Sequence, residues 1–98
     1  MDMFYALAEP NRRNIIEILA RQGELSASSI ADRFHITPAA VSQHLKVLRE
    51  AKLICMEKRA QRRIYTLNPN AIKELERWAV QMSQRFDTLG DVLAGEDK

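Results

Sequence analysis

Residues 37–49, TPAAVSQHLKVLR, constrain the fold more than any other part of the chain. Thr37 suits the N-cap of a helix, because its hydroxyl can accept a hydrogen bond from an unpaired backbone N–H. Pro38 suits the first helical position, where no N–H is needed and the backbone angle is already helical. Three apolar residues then recur at the spacing of one helical face, namely Val41, Leu45 and Leu48. The stretch therefore predicts one amphipathic helix with a sharply defined start.

The face opposite this apolar stripe begins with small residues in place of the usual charged cover. At about 100° per residue it carries Ala39, Gln43 and Lys46, with Ala40 and Ser42 on its flanks. The alanines let the backbone come close to a partner, while Gln and Ser can form hydrogen bonds with base edges. The N–H groups at the helix start attract phosphate. This pattern is typical of a helix that enters the DNA major groove, and on the same projection Val47 is predicted to be exposed.

Length and composition limit the class of protein. The 98 residues are enough for one compact domain over 1–98, and 29% charged with 46% apolar residues favours a folded chain over a disordered one. No apolar run approaches the roughly 18 residues of a membrane span, and residues 1–10 lack the basic segment of a signal peptide. The single cysteine, Cys55, excludes an internal disulfide. We therefore expect a cytoplasmic protein with no membrane partner.

Positive charge is concentrated in the middle of the chain. Residues 1–37 carry a net charge of −1, residues 38–67 carry +5 and residues 68–98 carry −2. The basic third is also the one that contains the unusual helix. This distribution is the electrostatic footprint of a surface that binds a polyanion, although a basic segment alone is also consistent with a solvated face.

The rest of the pattern predicts a winged helix-turn-helix, mainly α with a small β-hairpin and thus of the α+β class. Five helices are expected, at 3–8, 10–21, 27–34, 37–49 and 69–93. The third and fourth are close enough to form a helix-turn-helix over 27–50. Residues 53–67 contain two segments rich in β-branched and apolar residues, which predict a two-stranded wing with a basic tip. On its first strand, Cys55 is expected to be a small buried side chain.

The last predicted helix carries an unbroken heptad seam, formed by Ile72, Leu75, Ala79, Met82, Phe86, Leu89 and Leu93. A compact winged domain needs only part of such a helix for its own core. We therefore predict that residues 3–22 and 69–93 pair with a second copy, and the alternative is that the helix lies across its own domain. The expected interface residues are Met3, Phe4, Leu7, Leu75, Trp78, Ala79, Met82, Phe86, Leu89 and Leu93.

Three separated motifs resemble one family of proteins. VSQHLKVLREAKLI at 41–54, the basic hairpin KRAQRRIYTL at 58–67 and the opening LAEPNRRNIIEIL at 7–19 are similar to the ArsR type of small bacterial transcriptional regulators. The resemblance extends over about residues 3–93. It implies a symmetric winged-helix homodimer that binds a promoter palindrome and represses transcription, with release when an inducing ligand binds.

The sequence departs from this family's metal-sensing pattern. Many relatives use a Cys-x-Cys type motif where this chain has ELSAS at 24–28, and another group uses His and carboxylate ligands on the last helix. Residues 69–93 contain no His or Cys, so a soft-metal site lacks ligands. The family's usual wing glycine is also replaced, by Ala60 or Gln61. The chain is most similar to the branch without metal-binding residues, and we expect neither a metal nor a cofactor.

Particular side chains are assigned roles on this basis. Ser42 and Gln43 are the expected base-edge contacts, because Gln can form a bidentate pair with adenine. His44 has two open roles, as a donor to phosphate or as a buried hydrogen-bonding brace, while Arg12 and Arg13 either reach flanking phosphate or are solvated. The full set of expected DNA-binding residues is Thr37, Pro38, Ala39, Ala40, Ser42, Gln43, His44, Lys46, Arg59, Gln61, Arg62 and Arg63.

These features favour a sequence-specific repressor homodimer that binds a near-palindromic promoter site. One alternative is a winged-helix protein–protein interaction module, and another is an architectural DNA binder with little sequence preference. The small outer face of the helix argues against the first, because protein-docking surfaces are enriched in aromatic residues and Met. An enzyme is not expected, since the sequence has no Ser/His/Asp or Cys/His set and no Gly-rich phosphate loop.

Overall fold

The computed structural model describes the backbone of residues 2–96 and the side chains of residues 2–91. Five helices and three strands occur in this part of the chain: α1 (Met3–Leu7), α2 (Pro10–Gln22), β1 (Glu24–Ser26), α3 (Ala27–Ala31), α4 (Pro38–Glu50), β2 (Ile54–Arg59), β3 (Arg62–Leu67) and α5 (Pro69–Glu96). The described residues form two compact units that divide between Asn68 and Pro69. The first is called the winged unit below, and the second is α5. The predicted mainly helical winged helix-turn-helix is confirmed.

The helix ends follow the capping residues seen in the sequence. The Thr37 hydroxyl accepts a hydrogen bond of 3.1 Å from the Ala40 N–H at the start of α4. The Glu9 carboxylate caps α2 in the same way, and Gly23 ends it with a positive φ of 84°. Such a φ strains any residue with a Cβ, which is why glycine is suited to this position.

The third helix is shorter than predicted and ends at Ala31, not near Phe34. The N–H groups of Arg33 and Phe34 bond to carbonyls only three residues back, which turns the chain more tightly than an α-helix does. The chain must then become extended at Thr37, because a residue before proline avoids the helical region. The tight turn therefore ends α3 and separates it from α4.

The sheet has three strands and not the two that the sequence predicts. Strand order is β1-β3-β2, with both pairs antiparallel, so β3 is central. In the missed strand, Leu25 is opposite Tyr65, and the buried Ser26 is opposite Ile64. A strand of three residues is too short to show an alternating pattern, and its stability comes from the neighbouring β3. Through this pairing, β3 of the wing is hydrogen-bonded to β1, the segment directly before the helix-turn-helix.

The core of the winged unit confirms the apolar stripe of α4. Val41, Leu45 and Leu48 are each exposed by 2% or less. The prediction for Val47 is wrong, since this residue is buried at 9% exposure. The reason is that α4 contacts α1, α2, α3 and β2, so the fold buries a wider arc than the stripe alone. At about 100° per residue, the buried Ala51 lies between Leu48 and Val47 on this arc.

Cys55 is exposed, which corrects the prediction that it is buried. Its neighbour Ile54 is only 3% exposed, and successive side chains of a strand point to opposite faces. The alternation along β2 therefore directs the thiol outward.

None of the helices in the described part of the chain combines the length and the hydropathy that a transmembrane helix needs.

The turn of the wing is formed by Ala60 and Gln61, and Ala60 adopts a positive φ of 55°. An L-residue in this region costs about 1 kcal/mol relative to its relaxed backbone. We expect Ala60→Gly to raise the free energy of unfolding by roughly 0.5–1 kcal/mol, measured by urea denaturation. Gln61→Gly is the matched control, because the φ of Gln61 is not positive and glycine there should only lower stability. Equal destabilisation by both variants would contradict the expected strain relief.

Candidate nucleic-acid interface

The outward face of α4 is open to solvent in the winged unit. Ala39, Ser42, Gln43 and Lys46 are exposed, and Ala40 is half-buried. No hydrogen bond or ion pair joins the side chains of Ser42, Gln43 and Lys46 to another described residue. Their polar groups are therefore available to a partner that approaches the first two turns of α4.

The backbone at the first turn of α4 is accessible, because the residues there are exposed and their side chains are small. Thr37 and Pro38 are exposed, and the Thr37 side chain occupies the N–H of Ala40. Pro38 has no N–H, so the Ala39 N–H is the outermost donor of the helix. A methyl group is the only side chain on that residue, and the helix dipole makes this end favourable for an anion. The turn is suited to close approach of a phosphate or a groove wall.

The wing carries its positive charge in two different arrangements. Arg62 and Arg63 are exposed, and neither has an ion-pair partner among the described residues. Arg59 instead donates hydrogen bonds to Glu24 at 3.0 Å and to Glu57 at 3.1 Å. These two carboxylates raise the pKa of Arg59 above its already high ordinary value. A phosphate at Arg59 must therefore compete with two carboxylates, whereas one at Arg62 or Arg63 does not.

Arg12 neither reaches outward nor is solvated, so both roles suggested by the sequence are wrong. It is buried at 9% exposure between α1 and α4. Its side chain donates to the backbone carbonyls of Ala6 and Tyr5 in α1 and lies 3.3 Å from the His44 ring. His44 is accordingly part of a hydrogen-bonded cluster that joins α4 to Arg12 of α2. Arg13 remains exposed and donates to the Leu7 carbonyl at 2.8 Å.

Two glutamates that contact predicted site residues were not assigned to the site from the sequence. Glu9 caps α2, and its Oε2 also lies 3.8 Å from Nδ1 of His44. Glu24 belongs to the strand that sequence reasoning missed, and it holds Arg59 across the sheet. Both contacts join residues that are more than thirty positions apart in the chain. Local periodicity contains no signal for such pairs.

The segment ELSAS at 24–28 forms β1 and the start of α3. The Ser26 hydroxyl accepts a hydrogen bond from the Ser29 N–H, and it is bonded to the hydroxyls of Ser28 and Ser29. Ser26 is thus the N-cap of α3, and the hydroxyls of Ser28 and Ser29 form hydrogen bonds with it. Among the described residues, no three His, Cys, Asp or Glu side chains are grouped closely enough to hold a metal ion.

The two terminal helices each expose large apolar side chains. On α1, Phe4 is 41% exposed, and on α5, Trp78, Phe86 and Leu89 are 46%, 75% and 54% exposed. The helix α5 continues to Glu96, three residues beyond the predicted end at Leu93. The side chain of Leu93 lies outside the described residues. Within α5, Trp78, Phe86 and Leu89 recur at helical spacing, so this helix by itself presents an apolar patch that is suited to contact with another apolar surface.

Comparisons with known proteins agree with this geometry. Residues 9–54 match the family model described as bacterial regulatory protein, arsR family. The transcriptional repressor SdpR of Bacillus subtilis (strain 168) is 29% identical over 86 residues, which are 88% of this chain and 94% of that protein. The arsenical resistance operon repressor of the same organism is 32% identical over 72 residues, which are 74% of this chain and 69% of that protein.

A solved structure extends the likeness to three dimensions. The crystal structure of a possible transcriptional regulator for arsenical resistance matches with a TM-score of 0.76 and 33% identity, over 84% of both chains. The range that matches the family model, residues 9–54, contains α2, the helix-turn-helix and the first residue of β2. This chain therefore belongs to the ArsR family of bacterial regulatory proteins, which are DNA-binding regulators of transcription and not enzymes.

Proposed function

We propose that this chain is a transcriptional repressor that binds a near-palindromic promoter site as a homodimer. Each copy would insert its α4 into the major groove, with the two helices about 34 Å apart along the duplex. The observation that carries this proposal is the open outward face of α4, where small residues precede Ser42 and Gln43. The names of two relatives, which describe repressors, support the direction of control.

We assign sequence discrimination to Ser42 and Gln43. Both are exposed and free of hydrogen bonds to other described residues, so neither loses a partner on binding DNA. Thr37, Pro38 and Ala39, together with the half-buried Ala40, would allow the helix start to approach the duplex closely. Removal of a bidentate hydrogen-bonded contact between a glutamine and a base typically costs about 1–3 kcal/mol of discrimination against the wrong base pair.

Affinity that does not depend on sequence is assigned to cations at the phosphate backbone. The proposed contacts are Lys46, Arg59, Arg62 and Arg63, with Gln61 at the tip of the wing. Four such cations per copy, or eight per dimer, would give a slope of about −7 when log affinity is plotted against log salt concentration.

Arg62→Ala should weaken binding to cognate and random duplexes by the same factor. Because one charge is lost per copy, the salt slope should become shallower by about two for the dimer. Fluorescence anisotropy over a series of salt concentrations measures both quantities. Arg21→Ala is the matched control, since it removes an exposed arginine of α2 and should leave the slope unchanged. A selective loss on the cognate duplex would instead make Arg62 a base contact.

The homodimer is proposed to form through 3–22 and 69–93. Its contacts would include Phe4, Trp78, Phe86 and Leu89, whose exposed apolar area favours burial against a second copy. The further members of the proposed interface are Met3, Leu7, Leu75, Ala79, Met82 and Leu93.

We also propose that DNA release does not depend on a metal. The segment at 24–28 offers hydroxyl groups that already bond to one another, and it contains no thiolate. Soft-metal ions require sulfur or imidazole ligands, which this segment lacks. The chain would act as a single winged domain in the cytoplasm, without a cofactor.

One selection experiment tests the proposed function. Purified protein is mixed with random-sequence duplexes, and the bound fraction is sequenced to obtain the motif and its half-site spacing. An inverted repeat with a spacing of one helical turn is expected, and the same motif should be recovered with added metal ions or thiol oxidants. A flat sequence profile would favour an architectural DNA binder, and no bound DNA would favour a protein–protein interaction module.

A further inference from the structure

Arg12 is the only charged residue that is buried among the described residues. Its Nε donates 2.6 Å to the Ala6 carbonyl, and its Nη2 donates 3.3 Å to the Tyr5 carbonyl. The guanidinium also lies 5.5 Å from the centre of the Tyr5 ring. A buried cation needs acceptors of this kind, and here the last turn of α1 provides them. The position of the guanidinium is thus determined by α1 and not by solvent.

The remaining edge of the guanidinium faces α4. Nη1 of Arg12 lies 3.3 Å from Nδ1 of His44. Arginine has donors only, so Nδ1 must accept, and the imidazole is then neutral with its proton on Nε2. The nearest carboxylate oxygen, Oε2 of Glu9, is 3.8 Å from Nδ1, which is beyond hydrogen-bond distance. That oxygen already accepts the Arg12 backbone N–H at 3.0 Å.

The second ring nitrogen of His44 is directed away from this cluster. No described residue bonds to Nε2, and no buried side-chain nitrogen or oxygen in the described part of the chain lacks a partner, so Nε2 is accessible to solvent. Because side chains of a helix lean toward its N-terminus, we expect the ring to lie over the turn that contains Ala40. A phosphate at the start of α4 would be within reach of this N–H.

We propose that Arg12 is a positioning residue for DNA binding, which selects the Nε2–H tautomer of His44 so that this N–H donates to a backbone phosphate beside the start of α4. The phosphate part of this inference rests on the proposed function. Because the imidazole is uncharged, the contact adds affinity without displacing a counterion. It is also independent of sequence, since a phosphate carries no base information.

The tautomer is tested without DNA. Proton–nitrogen correlation spectra of the imidazoles should show a protonated Nε2 and an unprotonated Nδ1 for His44. The chain has two histidines, so His35→Ala assigns the signals. Arg12→Met, which removes every donor of the side chain, should populate the Nδ1–H form. A wild-type His44 with Nδ1 protonated overturns the proposal, and this result does not require the variant to fold.

The phosphate contact is tested with a pair of substitutions at His44. The amide nitrogen of Gln reaches the position of Nε2, whereas that of Asn reaches only the position of Nδ1. His44→Asn should weaken cognate and random duplexes alike by about tenfold or more, as expected for a lost hydrogen bond to a charged group. His44→Gln should remain within about threefold of the wild type.

Three outcomes of these binding measurements overturn the proposal. Wild-type affinity for His44→Asn would show that no phosphate is contacted. A salt slope made shallower by His44→Asn would show that His44 binds as a cation, because a neutral donor leaves the slope unchanged. A wild-type chain that binds no duplex would overturn the proposed function and with it the phosphate contact. In that last case the spectra still report separately on the Arg12–His44 hydrogen bond.

Discussion

Phe86→Glu should make the protein monomeric and lower its affinity for a palindromic duplex by at least about 100-fold. The Phe86 side chain is 75% exposed on α5, so the substitution removes little buried area from a single copy. In the proposed dimer, the new carboxylate would be buried against apolar groups of a second copy. A monomer also loses the linked second half-site, and such linkage is typically worth a factor of 10²–10⁴.

Sedimentation equilibrium measures the oligomeric state, and a gel shift with the palindromic duplex measures the affinity. Gln84→Glu is the matched control, because it adds the same charge at an exposed position about 160° around the helix from Phe86. The control should remain dimeric and bind DNA as the wild type does. A dimeric Phe86→Glu variant would show that the interface is elsewhere. A monomeric wild type would contradict the proposed assembly directly.

Gln43→Ala should abolish discrimination at one base pair of each half-site. The loss on the cognate duplex should be about tenfold or more, as expected when a bidentate base contact is removed at two symmetric positions. Binding to random duplex should be unchanged, because the side chain contacts no phosphate in the proposed complex. The free energy of unfolding should change by less than about 0.5 kcal/mol, since Gln43 is exposed and bonds to no other described residue.

The measurement is a competition of cognate against random duplex, followed by a repeat of the selection with the variant. Gln22→Ala makes the same chemical change at an exposed position at the end of α2, and it should leave specificity intact. If Gln43→Ala weakens cognate and random duplexes equally, its side chain is not a base contact. The assignment of α4 as the reading element would then have to rest on Ser42 alone.

Much of the winged unit could be predicted from short-range patterns. The caps at Glu9 and Thr37, the stop at Gly23 and the strand over 62–67 all follow from residues close to one another in sequence. Each depends on a local preference, such as a side-chain acceptor for an orphan N–H or a φ that only glycine adopts freely. Preferences of this kind act over one or two turns and are visible without a fold.

The predictions that the structure contradicts depended on contacts between elements that are distant in sequence. Val47 is buried because several elements surround α4, and β1 exists because β3 offers a free edge to three residues of weak preference. Cys55 is exposed because the register of β2 directs its neighbour Ile54 into the core. In each case the burial or pairing of the residue depends on which elements pack together. The local pattern of apolar and polar residues does not contain that information.

The sequence by itself determined that the chain has an amphipathic helix with a bare N-terminal face, a basic wing and a terminal heptad seam. These follow from the period and chemistry of neighbouring residues. Only the tertiary structure decided that Arg12 is buried against α1 and faces His44, and that Arg59 is held by Glu24. Such contacts join residues far apart in the chain, and their geometry exists only after the helices and strands have packed.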